Sequence, residues 1–214
     1  VRTDDLIDAL AADAGRGSEP APPRRLAFVA GLGGLAALLL VLGWLQARPD
    51  LGQAILGPMF WVKAIYTGLL GLAGYLAVER LSRPGGSGRR GWIIGAVVFG
   101  ACAVAGIYQA ITSPDVQAAL KLLHGYSWRS CSPRILVLGL PMLALGLWAL
   151  RGMAPTRPGL AGFAMGLFSG GVVATVYGLH CPEHTFTFLA LWYSLGVLAL
   201  GLIGGWAGRW LLRW

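Results

Sequence analysis

Six apolar stretches of about 20 residues punctuate this chain, and a soluble fold of 214 residues cannot hide six of them. A helix needs about that length to cross a bilayer core of roughly 30 Å. The stretches lie near Leu26–Leu45, Pro58–Val78, Trp92–Ile111, Ile135–Leu150, Leu160–Leu179 and Phe186–Trp206. The fourth is the shortest, and an extension upward into residues 131–134 is expected. Charge agrees: 12% of the residues are charged and 56% are hydrophobic, whereas soluble domains carry about 25% charge. The 33 glycines suit close helix–helix approach, and the 9 tryptophans suit membrane interfaces. The expected fold is all-α: a polytopic membrane protein of six transmembrane helices. No cleavable leader is expected, because the first apolar run follows an acidic segment and is long enough to span.

Lysine and arginine set the orientation. With the N-terminus inside, the inner segments hold Arg2, Arg16, Arg24, Arg25, Arg80, Arg83, Arg89, Arg90, Arg151, Arg157, Arg209 and Arg213. The outer segments hold Arg48, Lys121, Arg129 and Arg134. The positive-inside rule therefore predicts both termini in the cytoplasm. The formal net charge of +8 is read as this orientation signal, with no direct nucleic-acid contact.

Residues 1–14, VRTDDLIDALAADA, read as a short amphipathic helix. Thr3 is a plausible N-cap, and Asp4 and Asp5 sit where they favour the helix dipole. Leu6, Ile7 and Leu10 share an apolar side, and Asp4, Asp5 and Asp8 carry acid. So short a helix is marginal alone in water and needs a partner. The Pro- and Gly-rich residues 15–25 read as a linker. This divides the chain into a cytoplasmic segment, 1–25, and a transmembrane unit, 26–214. In the outer loop 112–134, residues 115–124 are expected to form a short surface helix.

The chemistry-bearing residues gather on the outer side. Cys131 lies just before the fourth span and Cys181 just after the fifth, so both are expected to face the outer compartment as neighbours. His180, Glu183 and His184 flank Cys181 in HCPEHT, and His124 lies in the other outer loop. Thiolate with imidazole suits copper(I) or zinc, and two cysteines alone can hold copper(I). The same thiols could form a reversible or a permanent disulfide, or be buried as small apolar groups. Cys102, in mid-span, reads as packing. Lys63 falls inside the second span, where a lysine marks a function, a pairing or a snorkelling side chain. Pro141 is expected to kink the fourth span. Trp44, Trp61, Trp92, Trp128, Trp192 and Tyr193 read as interfacial anchors or core filling.

Nucleotide loops, paired mid-membrane carboxylates and HExxH are absent from the sequence, so no enzyme is expected and no obligatory cofactor. Two alternatives stand beside a sensor. A small metal or solute transporter would place Lys63 and the outer His/Cys cluster on its pathway. A transmembrane thiol-redox enzyme would need an inner cysteine pair, and the inner segments contain no cysteine.

Several motifs occur in a fixed order: TDDLIDALA, a linker ending PPRR, FWVK in the second span, Trp128-x-x-Cys131, LRGMAPTRPGLAG, the HCPE turn, LWYSLG and a terminal LRW. Together they resemble the NrsF-type anti-sigma factors over nearly the whole chain. The resemblance implies a bacterial inner-membrane protein that inhibits an extracytoplasmic-function (ECF) sigma factor of the sigma-F kind. Cys131 and Cys181 match the positions proposed for sensing in that family. On this reading Asp4, Asp5, Leu6, Ile7, Asp8 and Leu10 meet the sigma factor, and a transient heavy-metal ion, copper first among them, or an oxidant reaches the thiols.

Overall fold

A computed structural model describes residues 2–5, 7–8 and 22–213. Residues 3–5 and 7–8 are helical, and Asp4, Asp5, Ile7 and Asp8 are exposed. Leu6, Leu10 and most of the expected linker lie outside the described residues.

Six helices are long and apolar enough to cross a membrane. The first, α1 (Pro22–Leu40), widens into a π-helical turn at Val41–Leu45. A single turn, α2 (Leu51–Ala54), leads into α3 (Pro58–Leu81). Then come α4 (Arg89–Ile111), the short α5 (Val116–His124), α6 (Trp128–Arg151) and α7 (Pro158–Tyr177). The last, α8 (Phe186–Leu211), passes through a second π-helical segment at Leu189–Tyr193. Local sequence explains several starts. Pro58 and Pro158 occupy first-turn positions where the missing N–H costs nothing. Asp115 caps α5 by accepting from the Ala118 N–H at 2.6 Å, and Thr185 caps α8 by accepting from the Phe188 N–H at 3.3 Å.

The fourth span departs most from expectation. The expected extension above Ile135 into residues 131–134 is present and goes further: α6 is helical from Trp128 and places Cys131 in its first turns. The Cys131 N–H bonds the Ser127 carbonyl at 2.9 Å. The polar run Arg129, Ser130, Ser132 and Arg134 masks this start in a hydropathy reading, although backbone hydrogen bonding carries the helix through it. α6 is helical through both Pro133 and Pro141.

α7 is the hub. It packs most extensively on α8 and α3, and also meets α6 and α1. In its apolar window 61% of the residues are buried, against 17% in α4, which leaves α4 mainly for lipid. Small residues permit this crowding. A Cβ on Gly166 would collide with the Leu200 carbonyl of α8, and one on Gly171 would collide with the Gly71 backbone of α3.

An even number of spans returns the C-terminus to the face from which α1 starts. Arg24, Arg25, Arg80, Arg89, Arg151, Arg157 and Arg209 lie at this terminal end. The opposite end carries Cys131, Cys181, Lys63 and the loops around them.

Candidate functional site

The opposite end is built on the turn that joins α7 to α8. The chain leaves α7 through successive turns, with the N–H groups of His180 and Cys181 both bonding the Tyr177 carbonyl, at 3.0 and 3.2 Å. Pro182 then prevents further helix, and the chain stays extended until Thr185. Cys181 is thereby held over the start of α6, where its sulfur lies 3.7 Å from the Ser127 hydroxyl and beside the Cys131 thiol. All three cysteines are free thiols, and Cys131 and Cys181 are both fully buried. The sequence reading faced both thiols toward the outer compartment. They do sit at that end of the bundle, but beneath its surface, because Cys131 has been drawn into α6.

Lys63 completes the centre. It is buried about a turn and a half into α3, and its Nζ donates to the Cys181 carbonyl at 2.9 Å and lies 5.8 Å from the Tyr193 ring centroid. Of the roles open to it in sequence, internal pairing holds and snorkelling does not. Cys181 has its thiol pKa lowered from the ordinary range. The hydrogen bond from Cys131 is the largest cause, burial opposes it, and the Lys63 ammonium adds to the lowering. The hydroxyls of Tyr177 and Tyr193 are buried beside this centre.

Glu183 has a structural role that its neighbourhood in HCPEHT does not reveal. One carboxylate oxygen accepts from the Tyr126 N–H at 2.6 Å, the Ser127 N–H at 2.9 Å and the Ser127 hydroxyl at 3.1 Å. It thus caps α6 from another loop, at the positive end of the helix dipole. Gly125 makes room for it: the residue has φ +55°, and a Cβ there would meet the carboxylate.

The histidines are also engaged. Arg134 can only donate, so its contact with His180 Nε2 at 3.0 Å makes that nitrogen the acceptor. His180 Nδ1 therefore carries the proton and donates to the Gln46 carbonyl at 2.8 Å. Gln46 takes a left-handed φ of 63°, unusual for a non-glycine residue, in the loop that follows the first span. The Arg48 N–H bonds the Leu179 carbonyl at 3.1 Å, a second tie between that loop and the thiol turn. His124 Nδ1 contacts the Leu120 carbonyl at 2.9 Å, and its ring packs on Trp128. His184 is exposed, with its Nδ1 3.3 Å from the Pro182 carbonyl. Among the described residues, no group of three or more His, Cys, Asp or Glu side chains is placed to hold a metal ion. The structure brings together Cys131 and Cys181, a soft two-sulfur pair, and puts His180 and Glu183 to other uses.

Sequence reasoning missed Ser127, Gln46, Arg134 and Tyr177; of the two roles open to Tyr193, interfacial anchor or core filling, the second holds, since it is fully buried in the core. Arg134 was visible only as an outer charge, and nothing in the sequence marks Gln46. Trp128 and Trp192 stack with ring centroids 5.4 Å apart, and the Trp192 indole donates to the Leu123 carbonyl at 2.8 Å. Cys102 is buried near the Phe186 carbonyl, as packing.

Six apolar helices, with a buried thiol pair at one end of the bundle and an arginine fringe at the other, define an all-α multi-pass membrane protein. The chain belongs to the family described as negative regulator of sigma F (NrsF), whose model matches residues 10–214. It is 98% identical over 214 residues to the anti-sigma-F factor NrsF of Caulobacter vibrioides (strain NA1000 / CB15N), covering all of both chains. It is 42% identical over 217 residues to the probable anti-sigma-F factor NrsF of Azospira oryzae (strain ATCC BAA-33 / DSM 13638 / PS), again over the full length of each. No solved structure matches the chain. Membership identifies a non-catalytic, multi-pass membrane regulator.

Proposed function

We propose that this chain is an inner-membrane anti-sigma factor that holds an ECF sigma factor of the sigma-F kind through its N-terminal segment and releases it when Cys131 and Cys181 react. Both relatives carry the anti-sigma-F function in their names, and near-identity with one of them supports the partner. Residues 1–25 are the sigma-binding helix and linker, with Asp4, Asp5, Leu6, Ile7, Asp8 and Leu10 at the contact. Residues 26–214 are the sensor. The termini face the cytoplasm, and the arginine-rich terminal end favours that orientation. With a partner on the sigma side of the membrane and thiols on the other, flux through the bundle is not required, and the transporter reading gives way.

The observation that carries the sensing step is the burial of Cys181 and Cys131 together in one cluster, with the Lys63 Nζ on the Cys181 carbonyl at 2.9 Å. A thiol whose proton is readily lost is both a soft-metal ligand and a nucleophile. Two chemistries suit the pair. A heavy-metal ion, copper(I) first, displaces the thiol protons and bridges the two sulfurs. Alternatively, a peroxide takes two electrons and two protons from the thiols, leaving a disulfide and water. Either change pulls on the 178–181 turn. That turn is tied to the first span through His180–Gln46 and Leu179–Arg48, and the other end of that span carries the sigma-binding segment. To release its partner, the signal must separate the bound and free states by about 3–5 kcal/mol.

A sigma-dependent reporter tests this in cells carrying wild type, Cys131→Ser, Cys181→Ser, the double variant, or a deletion of residues 2–14. The reporter should be off in the wild type, rise with added copper or peroxide, and stay locked in one state in the serine variants. The deletion should leave it permanently on. Equal induction in the wild type and all serine variants would remove the thiols as sensors, and full repression by the deletion would remove the tether.

A further inference from the structure

We propose that the groove between the terminal ends of α1 and α6 binds an anionic phospholipid of the surrounding bilayer. The groove has a volume of about 760 Å³. Arg24, Arg25 and Arg151 form its rim, and Phe28, Leu145 and Trp148 form its wall. The layering follows from helix geometry. Phe28 lies one turn deeper than Arg24 and Arg25 along α1, and Trp148 lies one turn deeper than Arg151 along the antiparallel α6. Both helices thus set cation above hydrocarbon in the order in which a phospholipid sets phosphate above acyl chain. The wall is open, with Phe28 61% and Trp148 67% exposed.

The arginines have capacity to bind. Arg24 makes no hydrogen bond or ion pair among the described residues, and Arg151 spends only Nε, on the Leu211 carbonyl at 3.2 Å. Guanidinium forks match phosphate oxygens, and basic pockets between spans recruit anionic headgroups. The acidic residues 1–14 offer a rival occupant by charge alone. That segment also carries Leu6, Ile7 and Leu10, so its removal is one arm of the test below; the exposure of Phe28 and Trp148 on the outside of the bundle, where acyl chains lie, favours the phospholipid. The arrangement recurs between α7 and α8, where Arg157 and Arg209 rim a groove of about 540 Å³ walled by Phe163, Leu202 and Trp206. The inference depends on neither the sigma partner nor the sensing chemistry.

Native mass spectrometry of the full chain, released from equimolar phosphatidylglycerol and phosphatidylcholine, tests the site. The wild type should retain the anionic lipid about tenfold over the zwitterionic one. Arg24→Gln with Arg151→Gln should lose most of that preference. Lys121→Gln with Arg129→Gln, which removes the same charge at the opposite end, should keep it. Equal retention of the two lipids by the wild type would overturn the proposal whether or not the variants fold. So would displacement of phosphatidylglycerol by millimolar inorganic phosphate, which would identify a free-phosphate site. A rise in lipid occupancy on deleting residues 2–14 would assign the groove to the N-terminal segment instead.

Discussion

The two ends of this bundle use their charged residues in different ways. At the thiol end, Lys63 and Glu183 are buried, each hydrogen-bonded to partners from distant elements. At the terminal end, Arg24 and Arg151 stand at the rim with few bonds among the described residues, and the short ion pair of Arg83 with Glu79 at 2.6 Å is local and half-exposed. Buried polar groups must be matched in geometry, because an unmet donor or acceptor in a low-dielectric site costs its full desolvation. Exposed charges carry no such constraint. One end is therefore built to hold a single arrangement until chemistry alters it, and the other is built to attract what lies beside it.

The sharpest way to break this contrast is at Glu183. Glu183→Ala orphans two N–H groups and a hydroxyl at the start of α6 and should cost about 3 kcal/mol, read as a large drop in the melting temperature of the purified protein. An unchanged melt would mean that the cap carries no weight. The thiol pair gives a smaller effect that depends on pH. Because Cys181 has a lowered pKa, its thiolate persists as the pH falls below the ordinary thiol range of about 8.5. Labelling with a small thiol reagent in the Cys102→Ser background should therefore show a midpoint below that of a free thiol, and Lys63→Met should move it upward. A midpoint at the free-thiol value in both would remove the electrostatic role of Lys63. At the other end, Arg83→Gln should change stability by only about 0.4 kcal/mol, as an exposed i,i+4 pair does, within the scatter of the same melt.

The six spans were legible because apolar runs of bilayer length have few other uses. Pro58–Val78 and Phe186–Trp206 start where the helices start and fall short only at their far ends, where α3 and α8 run on to Leu81 and Leu211. The thiol end was legible in its residue types but not in their roles. Cys131 and Cys181 do meet, although the helix that brings Cys131 in is masked by the polar residues around it. Glu183 and His180 read as ligands because they sit beside a cysteine, yet their partners, Ser127 and Gln46, are far away in sequence. Cross-chain bonds of this kind leave no periodic trace. At the terminal end the arginines announced an orientation, but only packing places Arg151 across from Arg24.

The central claim is that events at the thiol end change binding at the terminal end, and binding of the sigma factor to the purified protein in lipid nanodiscs tests it directly. Copper(I) or a mild oxidant should weaken binding by at least about a hundredfold in the wild type and leave the Cys131→Ser/Cys181→Ser protein unaffected. Equal affinity with and without the signal in the wild type, under conditions where both thiols are shown to have reacted, would contradict the account.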